Sequence, residues 1–304
     1  MKKAVYIFIV LAAVVITAAA MLYCIKEKER VVPTTYWEES KENYNIYTVK
    51  IPDQVNFAGE EMPLDKYYVK ESLDRELLIN TYWHTSSILL FKRANRWFPV
   101  LEPILKKNNI PDDFKYLTLI ESGLMQVTSP SGAKGFWQFL PGTAKDYGLE
   151  VNKHIDERYH IEKSTQAACE YLQDAYNRYG NWTMVAASYN AGQNRVSDEI
   201  ELQKTNDYYA LYLSDEASRY VYRIIAIKTI MENPQDYGFN IRENDLYPPL
   251  STKEVPVEKS IKNLYSYAEE LGISYKMLKN LNPWIQNSSL KIKKGKKYFI
   301  QVPE

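Results

Sequence analysis

A single glutamate, Glu121, stands where a helix should end and where an apolar face should bury it. The segment Ile110-Pro111-Asp112-Asp113-Phe114-Lys115-Tyr116-Leu117-Thr118-Leu119-Ile120-Glu121-Ser122-Gly123 carries helix punctuation at both ends. Pro111 suits the first helical position, Asp112 and Asp113 the first turn, and Gly123 the left-handed residue beyond the last. Glu121 follows Leu117 by four residues and Phe114 by seven, so the three share one face. A helix C-terminus carries partial negative charge, and apolar burial disfavours the ionised form; both raise a carboxyl pKa. Such a carboxyl can donate a proton near neutral pH, as a general acid must. Taken alone, the fragment favours a glutamate without chemistry, because perturbed carboxylates are also structural.

Three later segments add polar groups near glycines and aromatic rings. Residues 129–144 run from Ser129 through Gly132 and Gly135 to Phe136-Trp137-Gln138-Phe139. Residues 181–192 read as a short helix that ends in Tyr189-Asn190 before Gly192. Residues 216–230 contain Glu216, Tyr220, Tyr222 and Arg223 on a helical pattern. Each has a plain structural reading beside the chemical one. Gln138 could cap its loop, Tyr189-Asn190 could be a helix C-cap, and Trp137 and Tyr189 could pack in the core.

These groups need a helical frame, and the periodicity supplies one. Apolar residues recur at helical spacing over residues 71–80, 86–107, 162–179 and 215–233, with Pro99 and Pro103 as bends in the second. No alternating strand pattern interrupts residues 66–237. The expected fold is therefore mainly α, with one all-α domain at residues 66–245, an ordinary domain size. Residues 31–65 carry prolines and a glycine with little periodicity and read as a linker or loose arm. Residues 252–304 read as a small separate module in the order β-α-α-β: a short strand at 254–257, helices at 261–271 and 275–281, and a strand at 296–302.

In that frame the motifs Glu121-Ser122, Gly135-Phe136-Trp137-Gln138 and Tyr189-Asn190-Ala191-Gly192, in this order, resemble the SLT-domain lytic transglycosylases, a goose-type-lysozyme-like family. The branch they are most similar to is that of membrane-bound lytic murein transglycosylase D. The resemblance covers roughly residues 73–233. It implies a lysozyme-like all-α domain with Glu121 as the catalytic acid/base. It implies substrate-binding roles for Ser129, Gln138, Tyr189 and Asn190, and for Glu216 and Tyr220 in a later motif. Leu124 replaces a common Phe after Glu-Ser, and the interval from Glu121 to Ser129 is one residue shorter than usual. The tail resembles a LysM module at residues 268–274, 278–283 and 292–297, although Val257-Glu258-Lys259-Ser260 stands where a Gly-Asp-Thr-Leu-like turn is usual.

The activity implied is cleavage of the β-1,4 bond between N-acetylmuramic acid and N-acetylglucosamine in peptidoglycan glycan strands, with formation of 1,6-anhydromuramic acid. Hydrolytic glycosidases usually use two carboxylates; the implied route needs only one, because the muramyl C6 hydroxyl replaces water. A hydrolytic muramidase and a non-catalytic glycan-binding envelope scaffold are the alternatives. The tail would aid targeting but not chemistry.

Residues 1–30 bear on location. Lys2 and Lys3 precede an apolar run over residues 4–25, long enough to cross a bilayer, which takes roughly 20 residues. The expectation is a membrane anchor with the body in the periplasm; a lipoprotein at Cys24 is the second reading. Lys plus Arg and Asp plus Glu each number 38, so no global basic field points to nucleic acid. The three histidines and two cysteines have no metal-ligand spacing, and neither a metal nor another cofactor is expected. Cys169, between small residues on a helical pattern, reads as a buried hydrophobe. Most of the 26 tyrosines read as core edge and helix surface.

Overall fold

A computed structural model of the chain describes residues 46–304. The fold over these residues is mainly α. A hairpin of two-residue strands, β1 (Asn56–Phe57) and β2 (Glu60–Glu61), precedes helices α1 (Tyr67–Tyr82), α2 (His84–Lys107) and α3 (Lys115–Ser122). The short α4 (Pro141–Asp146) leads into α5 (Ile161–Tyr179), α6 (Trp182–Ala191), α7 (Gln193–Gln203) and α8 (Asp215–Glu232). The tail adds β3 (Thr252–Val257), α9 (Leu264–Glu270), α10 (Tyr275–Leu281) and β4 (Tyr298–Pro303).

Helix α8 forms the centre. Val221, Ile224, Ile225, Ala226, Ile227 and Ile230 are all fully buried, on more than one face, as befits a helix enclosed by others. Helix α1 is locked to it by Glu76, itself buried, whose carboxylate accepts from Arg219 Nε at 2.8 Å and Nη2 at 3.2 Å. Helix α2 passes through Pro99 and Pro103 as one element. Pro111 stands just before a 3₁₀ turn over Asp112–Phe114 rather than inside a first α-helical turn.

Residues 49–64 are not the loose arm the sequence suggested. Phe57 is fully buried and meets Phe114 edge-on at 5.1 Å; Val55 and Met62 join the same core. Ala58 (φ 54°) and Gly59 (φ 82°) both take left-handed backbone, the two-residue turn whose twist suits a hairpin. Asp113 Oδ2 accepts from the Ala58 N–H at 2.6 Å and from Lys228 Nζ at 2.6 Å, which ties the turn to the 3₁₀ turn ahead of α3 and to α8. Strands two residues long leave no alternation to detect, and Ala-Gly is a weaker turn signal than Asn-Gly.

The tail has the expected β-α-α-β order. Strands β3 and β4 pair antiparallel, Thr252 opposite Pro303 and Val257 opposite Tyr298. Asn263 caps α9 by accepting from the Tyr265 N–H at 2.9 Å, so that helix starts after residue 261 rather than at it. The module has its own apolar core of Leu264, Leu278, Trp284, Ile285, Leu290 and Ile300, but Ile155 of the helical part belongs to that core too. The tail is thus docked rather than separate, and residues 49–304 form one compact unit. Among the described residues no helix is long and apolar enough to cross a membrane. The anchor expected at residues 4–25, and Cys24 with it, lie outside the described residues.

Candidate active site

Glu121 occupies the last turn of α3. Gly123 terminates that helix in the left-handed conformation (φ 58°, ψ 32°), and its N–H donates to the Leu119 carbonyl at 3.0 Å. Phe114 and Leu117, on the face of Glu121, are fully buried. Burial pushes the Glu121 carboxyl above its ordinary value, and the charge of Glu216 adds to the rise. A hydrogen bond from Tyr220 and the guanidinium of Arg223 act in the opposite sense without cancelling it. The result is a carboxyl biased toward its protonated form, as an acid catalyst requires.

Tyr220 on α8 is buried and donates its hydroxyl hydrogen to Glu121 Oε1. Burial first, then the nearby Glu121 charge, holds the Tyr220 phenol far above its ordinary range, so it stays a donor. Tyr189, near the end of α6, donates to the Trp137 carbonyl at 2.6 Å. Its phenol is raised by burial and next by the Glu121 charge, which places Tyr189 within electrostatic reach of the acid.

The loop of residues 129–139 runs beside Glu121. Ser122 Oγ donates to the Phe136 carbonyl at 3.0 Å, joining α3 to that loop. Gly135 (φ 77°) lies so close to residues 158–159 that an added Cβ would meet the Arg158 carbonyl oxygen at 1.9 Å. Gln138 takes a left-handed backbone (φ 49°), and its Nε2 donates to the Gly135 carbonyl at 2.7 Å and to the Val127 carbonyl at 3.3 Å. The amide nitrogen of Gln138 therefore serves the loop. Ser129 Oγ accepts from the Ala133 N–H at 3.0 Å and lies 2.9 Å from Ser131 Oγ, within its own turn. Trp137 is fully buried with its Nε1–H on Thr165 Oγ1 at 2.9 Å, so it packs the core instead of lining a sugar site. At the exposed N-terminus of α8, Glu216 Oε1 accepts from Asn190 Nδ2 at 3.3 Å.

The structure thus brings Glu121, Tyr220, Tyr189 and the Asn190–Glu216 pair toward one centre, and leaves Ser129 and the Gln138 amide nitrogen engaged in loop geometry. Several contributors escaped the sequence reading. Arg158 and Asp156, both buried, pair at 2.7 and 2.8 Å, and Arg158 Nη1 also donates to the Gly132 and Phe139 carbonyls at 2.9 and 3.0 Å. Burial opposes ionisation of Asp156, but the Arg158 guanidinium and the Lys134 ammonium outweigh it and hold the carboxyl below its usual range. Glu60 of β2 accepts from the Trp182 and Thr183 N–H groups at 2.6 and 2.8 Å, placing a carboxylate on the N-terminus of the helix that carries Tyr189. None of these three carried a sequence signal, whereas Gly135, against which Arg158 packs, stood out as part of a glycine-rich run. Among the described residues, no group of three or more His, Cys, Asp or Glu side chains is placed to hold a metal ion. Burial pushes the Cys169 thiol up to about 12, which keeps it from acting as a thiolate.

Residues 99–212 match the transglycosylase SLT domain family, and residues 253–304 match the soluble lytic transglycosylase C-terminal LysM-like domain. The chain is 28% identical over 245 residues to membrane-bound lytic murein transglycosylase D of Escherichia coli strain K12, covering 77% of this chain and 52% of the relative. The same protein of the O6:H1 strain matches equally. The chain therefore spans about half the length of the curated relatives it matches. Among solved structures, the 70 kDa soluble lytic transglycosylase of Escherichia coli aligns with a TM-score of 0.40 at 23% identity, over 46% of this chain and 24% of that one.

Proposed function

We propose that this chain, which carries an SLT transglycosylase domain followed by a LysM-like domain, is a peptidoglycan lytic transglycosylase of the cell envelope with Glu121 as its acid/base. The observation that carries the reading is the half-buried Glu121 carboxyl, raised in pKa and hydrogen-bonded by Tyr220, inside the span of the SLT family match.

The chemistry needs one carboxyl. Glu121 gives its proton to the glycosidic oxygen as the bond from that oxygen to the muramyl C1 breaks. The Glu121 carboxylate so formed accepts a hydrogen bond from Tyr220 and feels the positive charge of Arg223, which stabilise it. It then takes the proton of the muramyl C6 hydroxyl while that oxygen bonds to C1. The products are a 1,6-anhydro sugar end and a free 4-hydroxyl, Glu121 is protonated again, and no water is consumed. The internal nucleophile is favoured by effective molarity, which reaches about 10⁵ M in well-oriented cases. On this reading Tyr189 and the Asn190–Glu216 pair hold the sugar. The relative's name, membrane-bound lytic murein transglycosylase, supports an envelope location and a glycan substrate.

Digestion of purified sacculi in heavy-oxygen water tests the assignment. Anhydro ends without label are expected. Reducing ends that each carry one labelled oxygen from the first turnovers would make the protein a muramidase instead.

A further inference from the structure

The C-terminal domain docks on residues 150–160. Ile155 enters its apolar core beside Trp284, Ile285 and Tyr298. The Asp156 N–H donates to the Trp284 carbonyl at 2.9 Å, and the Gln286 N–H to the His154 carbonyl at 2.9 Å. Tyr298 Oη and Lys296 Nζ reach Glu150 Oε2 at 2.8 and 2.7 Å. The Trp284 ring stacks over His160 at 5.9 Å.

The opposite side of the same segment grips the loop beside Glu121. Asp156 orients Arg158, whose Nη1 holds the carbonyls at both ends of residues 132–139, and the Arg158 carbonyl abuts Gly135. Tyr159 adds its carbonyl as acceptor for Gln126 Nε2 at 3.1 Å and its hydroxyl to Thr128 Oγ1 at 2.7 Å. From the loop, Phe136 reaches Ser122 next to Glu121, and Trp137 reaches Tyr189. A buried ion pair such as Asp156–Arg158 offsets its desolvation only with complete hydrogen bonding, and the carbonyl of Trp284 completes the backbone around Asp156.

We propose, on the transglycosylase reading above, that the C-terminal domain is a positioning part of the active site: Trp284 and Ile285, docked on residues 153–157, hold Arg158 against Gly135 and so set the loop that aligns Glu121 and Tyr189. This reverses the expectation that the tail serves targeting alone.

The test uses the full chain. Ile285→Asp puts a carboxylate into the buried strip opposite Ile155. Hydrogen exchange should quicken in residues 150–160 and also in residues 132–139. On short soluble glycan oligomers, where capture by the tail is not needed, kcat should fall about tenfold or more while KM stays within twofold, since small misplacements of a catalytic group are costly. Met277→Asp, exposed on the same domain, should change neither. If Ile285→Asp melts the protein, Glu150→Gln combined with Asn287→Ala, which removes the amide that donates to the Lys153 carbonyl at 3.1 Å and spares the apolar core, decides by the same two readouts. Loosened residues 150–160 with wild-type exchange at 132–139 and wild-type kcat would overturn the proposal. A wild-type chain that releases no anhydro ends would instead defeat the functional reading, and the exchange pattern would still decide the coupling.

Discussion

Tyr220 and Glu121, 99 residues apart in the chain, share a hydrogen bond in which the buried phenol donates to Oε1 of the carboxyl. The bond favours the carboxylate, against the burial that favours the acid. Tyr220→Phe removes the first influence and leaves the second, so the Glu121 pKa should rise further. In the proposed mechanism Glu121 must be protonated to start the reaction, so activity is expected to fall as pH rises through its pKa. The basic limb of kcat/KM against pH should therefore move to higher pH in Tyr220→Phe, with a lower maximum because the carboxylate is less stabilised. A basic limb that stays put or moves down contradicts this geometry.

Glu121→Gln keeps the size of the side chain and removes its proton. Cleavage of sacculi should drop at least about a hundredfold, the usual scale of acid/base assistance. Near-wild-type turnover would rule out Glu121 as the acid.

The same substitution should act on stability with a definite pH dependence. The folded-state pKa of Glu121 is raised above its ordinary value of 4.5, so its protonated form is the one that folding tolerates. Its contribution is fully present below about 4.5 and is lost as pH rises through the folded-state value. Gln suffers no such loss. Melting curves should show Glu121→Gln close to wild type in acid and increasingly more stable than wild type toward neutral pH. A difference independent of pH would show that Glu121 ionises as freely in the folded protein as in the unfolded chain.

Gly135→Ala should damage the loop, because the new methyl would overlap the Arg158 carbonyl oxygen and the backbone is left-handed there. Overpacking of this kind costs roughly 1–3 kcal/mol. Denaturant unfolding should report that loss, and activity should fall with it. Gly132→Ala, with open space around it but an equally left-handed backbone, isolates the strain of φ from the overlap. Equal losses in the two variants would show that the approach to Arg158 is unimportant.

Glu60→Ala strips the N-terminus of α6 of its carboxylate acceptor. Loss of a helix N-cap costs about 0.5–2 kcal/mol, and Asn181, which accepts from the Met184 N–H, remains as a partial substitute. The expected outcome is a stability loss within that range, measured by urea titration. No loss would show that water replaces Glu60 at no cost.

Local rules make much of this protein readable from its sequence. Residue 123 had to end a helix because a glycine takes the left-handed conformation without strain, and that alone put Glu121 in a final turn. Helical periodicity announced α2, α5 and α8, and the order of the tail followed from its breakers and short apolar runs. Long-range geometry decided the rest. Trp137 turned inward because Thr165 of α5 offers its indole a buried acceptor. Gln138 folded back because its left-handed backbone brings its side chain onto the Gly135 and Val127 carbonyls. Tyr220 became the partner of Glu121 because packing of α8 brings it to α3. The hairpin of residues 56–61 and the dock of the tail on residues 150–160 were illegible for a common reason. Each is held by hydrogen bonds and apolar contacts between segments remote in the chain, and neither periodicity nor punctuation records which distant surface a segment will meet.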